Sequence, residues 1–354
     1  MRSDTARSQS RVRTSRRYLA VTGVSLLLSC AWMRSSVNDS PGLRWWLFSN
    51  FGASEVCPRV LESGAPLRLT SNGPIIGRFF PNRCQQQMDD TRQTMTLDFG
   101  GTGFAWTAVA GRIGFAASAR VEYRMDFRLT EDAIYVWGVP ANAQAQPTFQ
   151  LGAIENAVVN WAAHGPASYL SATFGGQILS SQLAQGFTVI RSDEGDEFSL
   201  GHLEPPARPP RPFALSGDDR IVLANDTSEV HKGQFDIAGP FQVSDDDQAL
   251  YFQFRTEGPA FDALLYPRTS IDPWREGIQT GASLAPPPIS PSASFVVQPG
   301  ITQPQAVPLR RGSYVLIMDN SDRLGQTKPP FNPLDLLGAG TVTVSYAVQL
   351  GDAP

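Results

Sequence analysis

The most regular pattern in the chain lies at residues 121–129. Val121, Tyr123, Met125, Phe127 and Leu129 share one parity, while Glu122, Arg124, Asp126 and Arg128 share the other. Period two sustained over nine residues predicts a strand with one buried and one wet face. Thr130-Glu131-Asp132 then turns the chain into Ala133-Ile-Tyr-Val-Trp-Gly138, which predicts an antiparallel hairpin. The charges on the wet face alternate in sign and read as a solvated surface. Upstream, residues 94–99 alternate, and residues 104–109 fit a separate strand after the turn-rich Gly100-Gly-Thr-Gly103. Downstream, Ile154, Val158 and Trp161 fall at helical spacing. Leu170, Phe174, Ile178 and Leu183 suggest a second helix, weakened by Gly175-Gly176. Short strands follow at 186–190 and 197–200.

The second half reads differently. Apolar runs at 220–224, 239–243, 249–255, 263–266, 294–298, 312–319 and 341–350 are separated by turn residues. Seven short strands at such intervals predict a β-sandwich. Residues 286–308 form a proline-rich excursion that reads as a long surface loop. Between the halves, Glu204-Pro-Pro-Ala-Arg-Pro-Pro-Arg-Pro-Phe213 carries five prolines in ten residues. Such a segment favours polyproline II and reads as a stiff spacer. With 354 residues, 31 Gly, 28 Pro and 18% charged residues, the chain suits two domains built from strands and turns. The expected class is mainly β with a small α+β component. An N-terminal α+β domain of antiparallel strands with one or two helices spans 54–203, a linker 204–213, and a C-terminal β-sandwich 214–354.

The N-terminus has its own pattern. Residues 1–17 hold six arginines against Asp4, and an apolar stretch runs from Leu19 to Cys30. A basic segment before a short apolar one is the layout of a signal peptide, here residues 1–29. The apolar part is shorter than the ~20 residues needed to span a bilayer. Leu27-Leu28-Ser29-Cys30 resembles the lipobox of bacterial lipoproteins, although Leu28 stands where smaller residues are commoner. The resemblance implies cleavage before Cys30, a diacylglyceryl thioether on its sulfur and acylation, with palmitate for example, of the new amino group. More than one acyl chain is what makes such an anchor stable. Ser15-Arg16-Arg17-Tyr18-Leu19 is also similar to a twin-arginine export motif, so both the general secretory and the twin-arginine routes stay open. Ala31, rather than aspartate, follows the cysteine. By the rule for that family this implies the outer membrane. Residues 30–53 show no clear period and read as a lipidated tether, with Trp45-Trp46 either at the membrane interface or packed on the first domain.

With Cys30 lipidated, Cys57 and Cys84 remain, and an oxidising envelope favours a bridge between them. The alternative is two separate buried thiols. Removing residues 1–29 leaves 23 basic against 32 acidic residues, a net charge near −9. That balance excludes nucleic acid as an expected partner.

Catalytic motifs are few. The chain has no GxSxG, HExxH, P-loop or dinucleotide glycine pattern. His164, His202 and His231 lie far apart beside turns and read as solvated. Asp245-Asp246-Asp247, Asp319 with Asp322, and Asp218-Asp219 read as solvated turn residues and not as a calcium site. No catalytic residue, cofactor or metal is therefore expected. Leu309-Arg-Arg-Gly-Ser-Tyr-Val-Leu-Ile-Met-Asp-Asn-Ser321 is similar to the late strand of GOLD-like and pre-peptidase C-terminal β-sandwiches. That resemblance implies a binding or accessory module. The leading expectation is a cell-envelope lipoprotein with a non-catalytic binding or structural role towards an envelope protein or polymer. The alternatives are a carrier of an apolar ligand, in a pocket lined by Met125, Phe127, Phe174 and Leu183, and a membrane-anchored hydrolase.

Overall fold

The computed structural model describes residues 31–62, 64–70, 73–107, 111–141, 148–154, 185–193, 195–215, 220–280, 286–329 and 340–354. The chain is mainly β. The N-terminal strands are β1 (Ala65–Arg68), β2 (Ile75–Asp89), β3 (Thr94–Thr107), β4 (Gly111–Leu129), β5 (Ala133–Pro140), β6 (Thr148–Ile154), β7 (Phe187–Ser192) and β8 (Gly195–Leu200). The later strands are β9 (Ile221–Val230), β10 (Gln234–Val243), β11 (Gln248–Glu257), β12 (Phe261–Pro267), β13 (Ala293–Val297), β14 (Gln303–Pro308), β15 (Gly312–Asn320) and β16 (Val342–Asp352). Four α-helical segments are described: α1 (Ala31–Asn38), α2 (Pro41–Leu47), α3 (Ala53–Glu62) and α4 (Arg268–Thr280). A π-helical turn, Phe48–Gly52, joins α2 to α3.

The period-two segment forms the C-terminal half of β4. Val121, Tyr123, Met125, Phe127 and Leu129 are all buried, and β4 pairs antiparallel with β5 from Tyr123↔Pro140 to Leu129↔Ile134. Alternation tells which face is buried because successive side chains point to opposite faces of a sheet. The glycines at 100–103 do not turn the chain. They lie inside β3, which pairs with β4 without a break from Thr94↔Arg124 to Thr107↔Gly111. A Cβ on Gly101 would stand 2.2 Å from the Phe80 carbonyl oxygen, and one on Gly103 would stand 2.6 Å from the Phe115 ring. These glycines serve close approach of neighbouring strands and not a bend.

Residues 31–53, where the sequence shows no clear period and reads as a tether, are largely helical and packed on the sheet. Val37, Trp45, Phe48 and Ala53 are buried against Phe79, Met95, Phe127 and Leu129 of the sheet. Their spacing crosses a break between two short helices, so no single period runs through the segment. Ser40 caps α2 through the Leu43 amide, with Pro41 in the first turn. Asn38 accepts from the Leu129 amide and donates to the Leu129 carbonyl, while Arg44 forms a two-point ion pair with Asp126. The helical spacing expected from Ile154 onward meets a different structure at its start. Residues 148–154 form β6 on the edge of β4, and 155–184 lie outside the described residues.

One sheet runs through both halves, in the order β14-β11-β16-β9-β2-β3-β4-β5-β7-β8. The join is a parallel contact, Ile75↔Ser228, between β2 and β9. At its far end the sheet curls back until Gly195, at the start of β8, abuts the Val222 carbonyl of β9. A second sheet, β10-β15-β12-β13, packs Phe261, Leu265, Leu316 and Met318 against Leu250, Phe252, Phe254, Val344 and Val348 of the first. This is the β-sandwich expected of the C-terminal half. The other face of the second sheet is covered too. Leu264, Tyr266 and Ile317 meet Ile271 and Trp274 of α4 and Phe80 and Phe104 of β2 and β3. Burial on both faces explains why β12 and β15 read as unbroken apolar runs.

Within the proline-rich stretch, 293–297 and 303–308 are strands. Among the described residues β14 is an edge strand paired with β11 alone, where Pro304 and Pro308 leave no needed amide unpaired. The segment 204–213 is pinned along its second half. Arg208 bonds Glu197 and Asp132, Arg211 bonds Glu197, and Phe213 exchanges two hydrogen bonds with the Asn225 side chain.

Candidate functional site

The join between the halves holds one cluster of buried polar groups. Arg78 stands alone in the apolar run Ile75-Ile-Gly-Arg-Phe-Phe80 of β2, and Asp236 stands between Phe235 and Ile237 of β10. Arg78 Nε and Nη2 donate to the two Asp236 carboxylate oxygens, each at 2.8 Å, and Nη2 also donates to the Tyr346 hydroxyl at 2.9 Å. Ser228 Oγ donates to Asp236 at 2.5 Å, as does the Ile237 amide at 2.8 Å. Burial opposes the Arg78 charge, but Asp236 and Tyr346 outweigh it, so the guanidinium pKa is raised. Burial also raises the Tyr346 pKa, keeping that hydroxyl protonated.

Beside this network lies a cavity of about 20 Å³, room for a single water, lined by Trp106, Arg112, Glu229, His231, Gln234 and Asp236 among others. His231, read from the sequence as a solvated loop residue, is only 8% exposed. The Trp106 ring lies flat on it, with centroids 3.2 Å apart. His231 Nδ1 lies 2.8 Å from the Thr341 hydroxyl, and Nε2 lies 2.7 Å from Glu229 Oε1 without the alignment of a hydrogen bond. Desolvation pushes the imidazole down to about 4 and also raises the Glu229 pKa. The imidazole is thus neutral at neutral pH. Thr341 and Nδ1 share a hydrogen bond whose direction is set by which ring nitrogen carries the proton. An acid, an imidazole and a hydroxyl in this order form the set used for nucleophilic catalysis. Here an indole covers the ring face, and the adjoining space admits one water.

A second buried polar pair sits at the same end of the second sheet, where Asp319 lies opposite Phe235, the neighbour of Asp236. Asp262 of β12 and Asp319 of β15 are direct cross-strand neighbours, both 0% exposed. Asp319 is therefore not the solvated strand end that its sequence context suggests, whereas Asp322 is exposed. Asp319 accepts from the Ser321 and Gly325 amides, and Asp262 accepts from the Thr327 amide at 2.7 Å and from the Thr327 hydroxyl. Burial, with the Asp262 charge adding to it, pushes the Asp319 carboxyl up to about 6.

These two groups give opposite pH slopes. Unfolding lets His231 take up a proton below pH 6.5, so its contribution is complete above 6.5 and lost as pH falls to about 4. Asp319 behaves in reverse. Its contribution is present below 3.8 and lost as pH rises through about 6, because the unfolded carboxyl ionises first. Over pH 4–6 the two offset each other. His231→Gln should leave stability falling as pH rises across that window, and Asp319→Asn should leave it rising. Urea unfolding at half-unit pH steps measures both, and identical slopes in the wild type and the two variants would refute the assignment.

Of the other residues singled out in the sequence, Cys57 of α3 and Cys84 of β2 are joined in a disulfide, with Cα atoms 5.4 Å apart. His202 stacks on Trp137 at 4.8 Å. Asp246 accepts from the Arg311 amide in a surface turn. Trp45 is packed and donates to Asp90, whereas Trp46 is exposed. Met125 and Phe127 are packed in the core with Trp45 and Phe48. Cys30, His164, Phe174, Leu183, Asp218 and Asp219 lie outside the described residues. Arg78, Asp236, Glu229 and Thr341 escaped the sequence reading. For the first two the signal was there, since a lone charge inside an apolar strand demands a buried partner.

No family model and no curated protein matches this chain. Among solved structures, a chain from disulfide-linked pili of Bacillus endospore appendages is similar over 40% of this chain and 97% of its own length. The identity is 10% and the TM-score 0.19, a likeness too slight to carry an argument about fold or function.

Proposed function

We propose that this is a lipid-anchored protein of the bacterial cell envelope with a non-catalytic binding or structural role. The observation that carries the reading is the Cys57–Cys84 bond. The chain has three cysteines, and the bond leaves Cys30 as the odd one, at the end of a basic and then apolar leader. A disulfide suits an exported protein, and a lipobox-like cysteine suits acylation. The fold supports a presenting role. One continuous sheet and a buried ion pair join the halves, so a partner meeting one half feels the other. The outer membrane is the proposed home, and an envelope protein or polymer the proposed partner. The packing of Met125 and Phe127 with Trp45 and Phe48 supports this reading over that of an apolar carrier.

Labelled palmitate tests the anchor. The wild-type chain, expressed in a bacterial host, should incorporate label and partition into the detergent phase, and Cys30→Ser should do neither. A wild-type chain without label, or a serine variant that still partitions into detergent, would overturn the reading.

A further inference from the structure

The helical segment after Cys30 buries some large apolar residues and exposes others. Its inner side buries Val37, Trp45 and Phe48 in the core. Its outer side leaves Trp32 80%, Phe51 66% and Trp46 52% exposed, and Leu43 is exposed as well. Leu43 and Trp46 are three residues apart on α2 and share a face. Trp46 reaches the π-helical turn, where its ring meets Phe51 edge-on with centroids 5.8 Å apart. A surface segment in a water-facing protein carries polar residues on its outer side, so large aromatics placed there mark a contact surface.

We propose that this face rests on a phospholipid bilayer, with Trp32, Leu43, Trp46 and Phe51 in the headgroup layer. The proposal rests on the anchored reading above, and three observations select lipid as the occupant. Trp32 is two residues past Cys30, so its Cα lies within about 7 Å of the acylated residue's. The headgroup layer is itself about 6 Å deep per leaflet. Trp rings favour that layer because they pair an apolar body with an N–H that stays wet. The charged residues of 31–52 are Arg34, Asp39 and Arg44, a net of +1 in a mature chain near −9, so this stretch is not repelled by phosphates.

The helices are also fastened to the body. Asn38 holds Leu129, Arg44 holds Asp126, and Trp45 holds Asp90. Seating the face on a membrane therefore fixes the tilt of the sheet above it, which a flexible tether would not do.

The test uses the full-length acylated protein in vesicles of phosphatidylethanolamine and phosphatidylglycerol with brominated acyl chains, which quench nearby indoles. Wild-type emission should fall by up to the share of two of its seven tryptophans, and Trp32→Phe/Trp46→Phe should lose that quenching. Both positions are exposed, so the double variant keeps its fold. Palmitate-labelled protein whose emission is unquenched would overturn the proposal and leave the anchor standing. Quenching that persists in the double variant would also overturn it. Unlabelled protein that still binds vesicles and is quenched through Trp32 and Trp46 would support the face and overturn the anchor. Unquenched protein that elutes as a dimer, and as a monomer after Trp46→Ser, would give the face to a second copy and end the proposal.

Discussion

Replacing Asp236 with alanine should lower the unfolding free energy by about 3–5 kcal/mol. The Arg78 and Asp236 side chains are 5% and 6% exposed, so the variant leaves a guanidinium inside the protein with its principal partner gone. Ser228 loses its acceptor at the same time, and among the described residues Arg78 keeps the Tyr346 oxygen. Removing one member of a buried pair costs far more than removing both, because the remaining charge still bears its desolvation penalty. The double variant Arg78→Met/Asp236→Leu should therefore recover most of the loss, and Tyr346→Phe should cost only about 1 kcal/mol. Urea unfolding of the three variants measures this directly. A loss below 1 kcal/mol in Asp236→Ala, or a double variant no better than the single, would show that the pair does not hold the seam.

Opening the Cys57–Cys84 bond should cost about 3–4 kcal/mol by the chain-entropy model, given a sequence separation of 27 residues. The bond ties α3 to β2, and the loop it closes contains β1, which pairs with β2 through Ala65↔Phe79 to Arg68↔Ile75. Without the crosslink the unfolded chain gains freedom across the whole loop, while the native contacts of Cys57 and Cys84 with the N-terminal core change little. The variant Cys57→Ala/Cys84→Ala should unfold at lower urea than the oxidised wild type and match the wild type held in reductant. Equal midpoints in the three samples, or two free thiols titrated in native protein, would refute this expectation.

Much of the fold was legible in the residues. Alternation located the buried face of β4 and its hairpin with β5, and turn-separated apolar runs located strands of the C-terminal sandwich. The errors have physical causes. Glycine supports turns and close strand approach alike, so Gly100–Gly103 looked like a loop. Proline disfavours central strands but is tolerated at an edge, so β14 was hidden in a proline-rich stretch. α4 carries Pro273 inside it, which masked its helical pattern. The site was less legible than the fold. His231 lies beside a turn in sequence, and the Trp106 ring that covers it comes 125 positions earlier.

The sequence by itself determined what depends on near neighbours: the mainly β class, the parity of individual strands, the basic and then apolar composition of residues 1–30, and the odd number of cysteines. The tertiary structure alone decided that 31–53 packs as helices with an aromatic outer face, that both halves share one sheet, and that Arg78 meets Asp236 and Tyr346. Those partners are 158 and 268 residues apart. Local periodicity reports which side of a strand is dry. It says nothing about which distant strand supplies the opposite charge, because that choice is made by the packing of the whole chain.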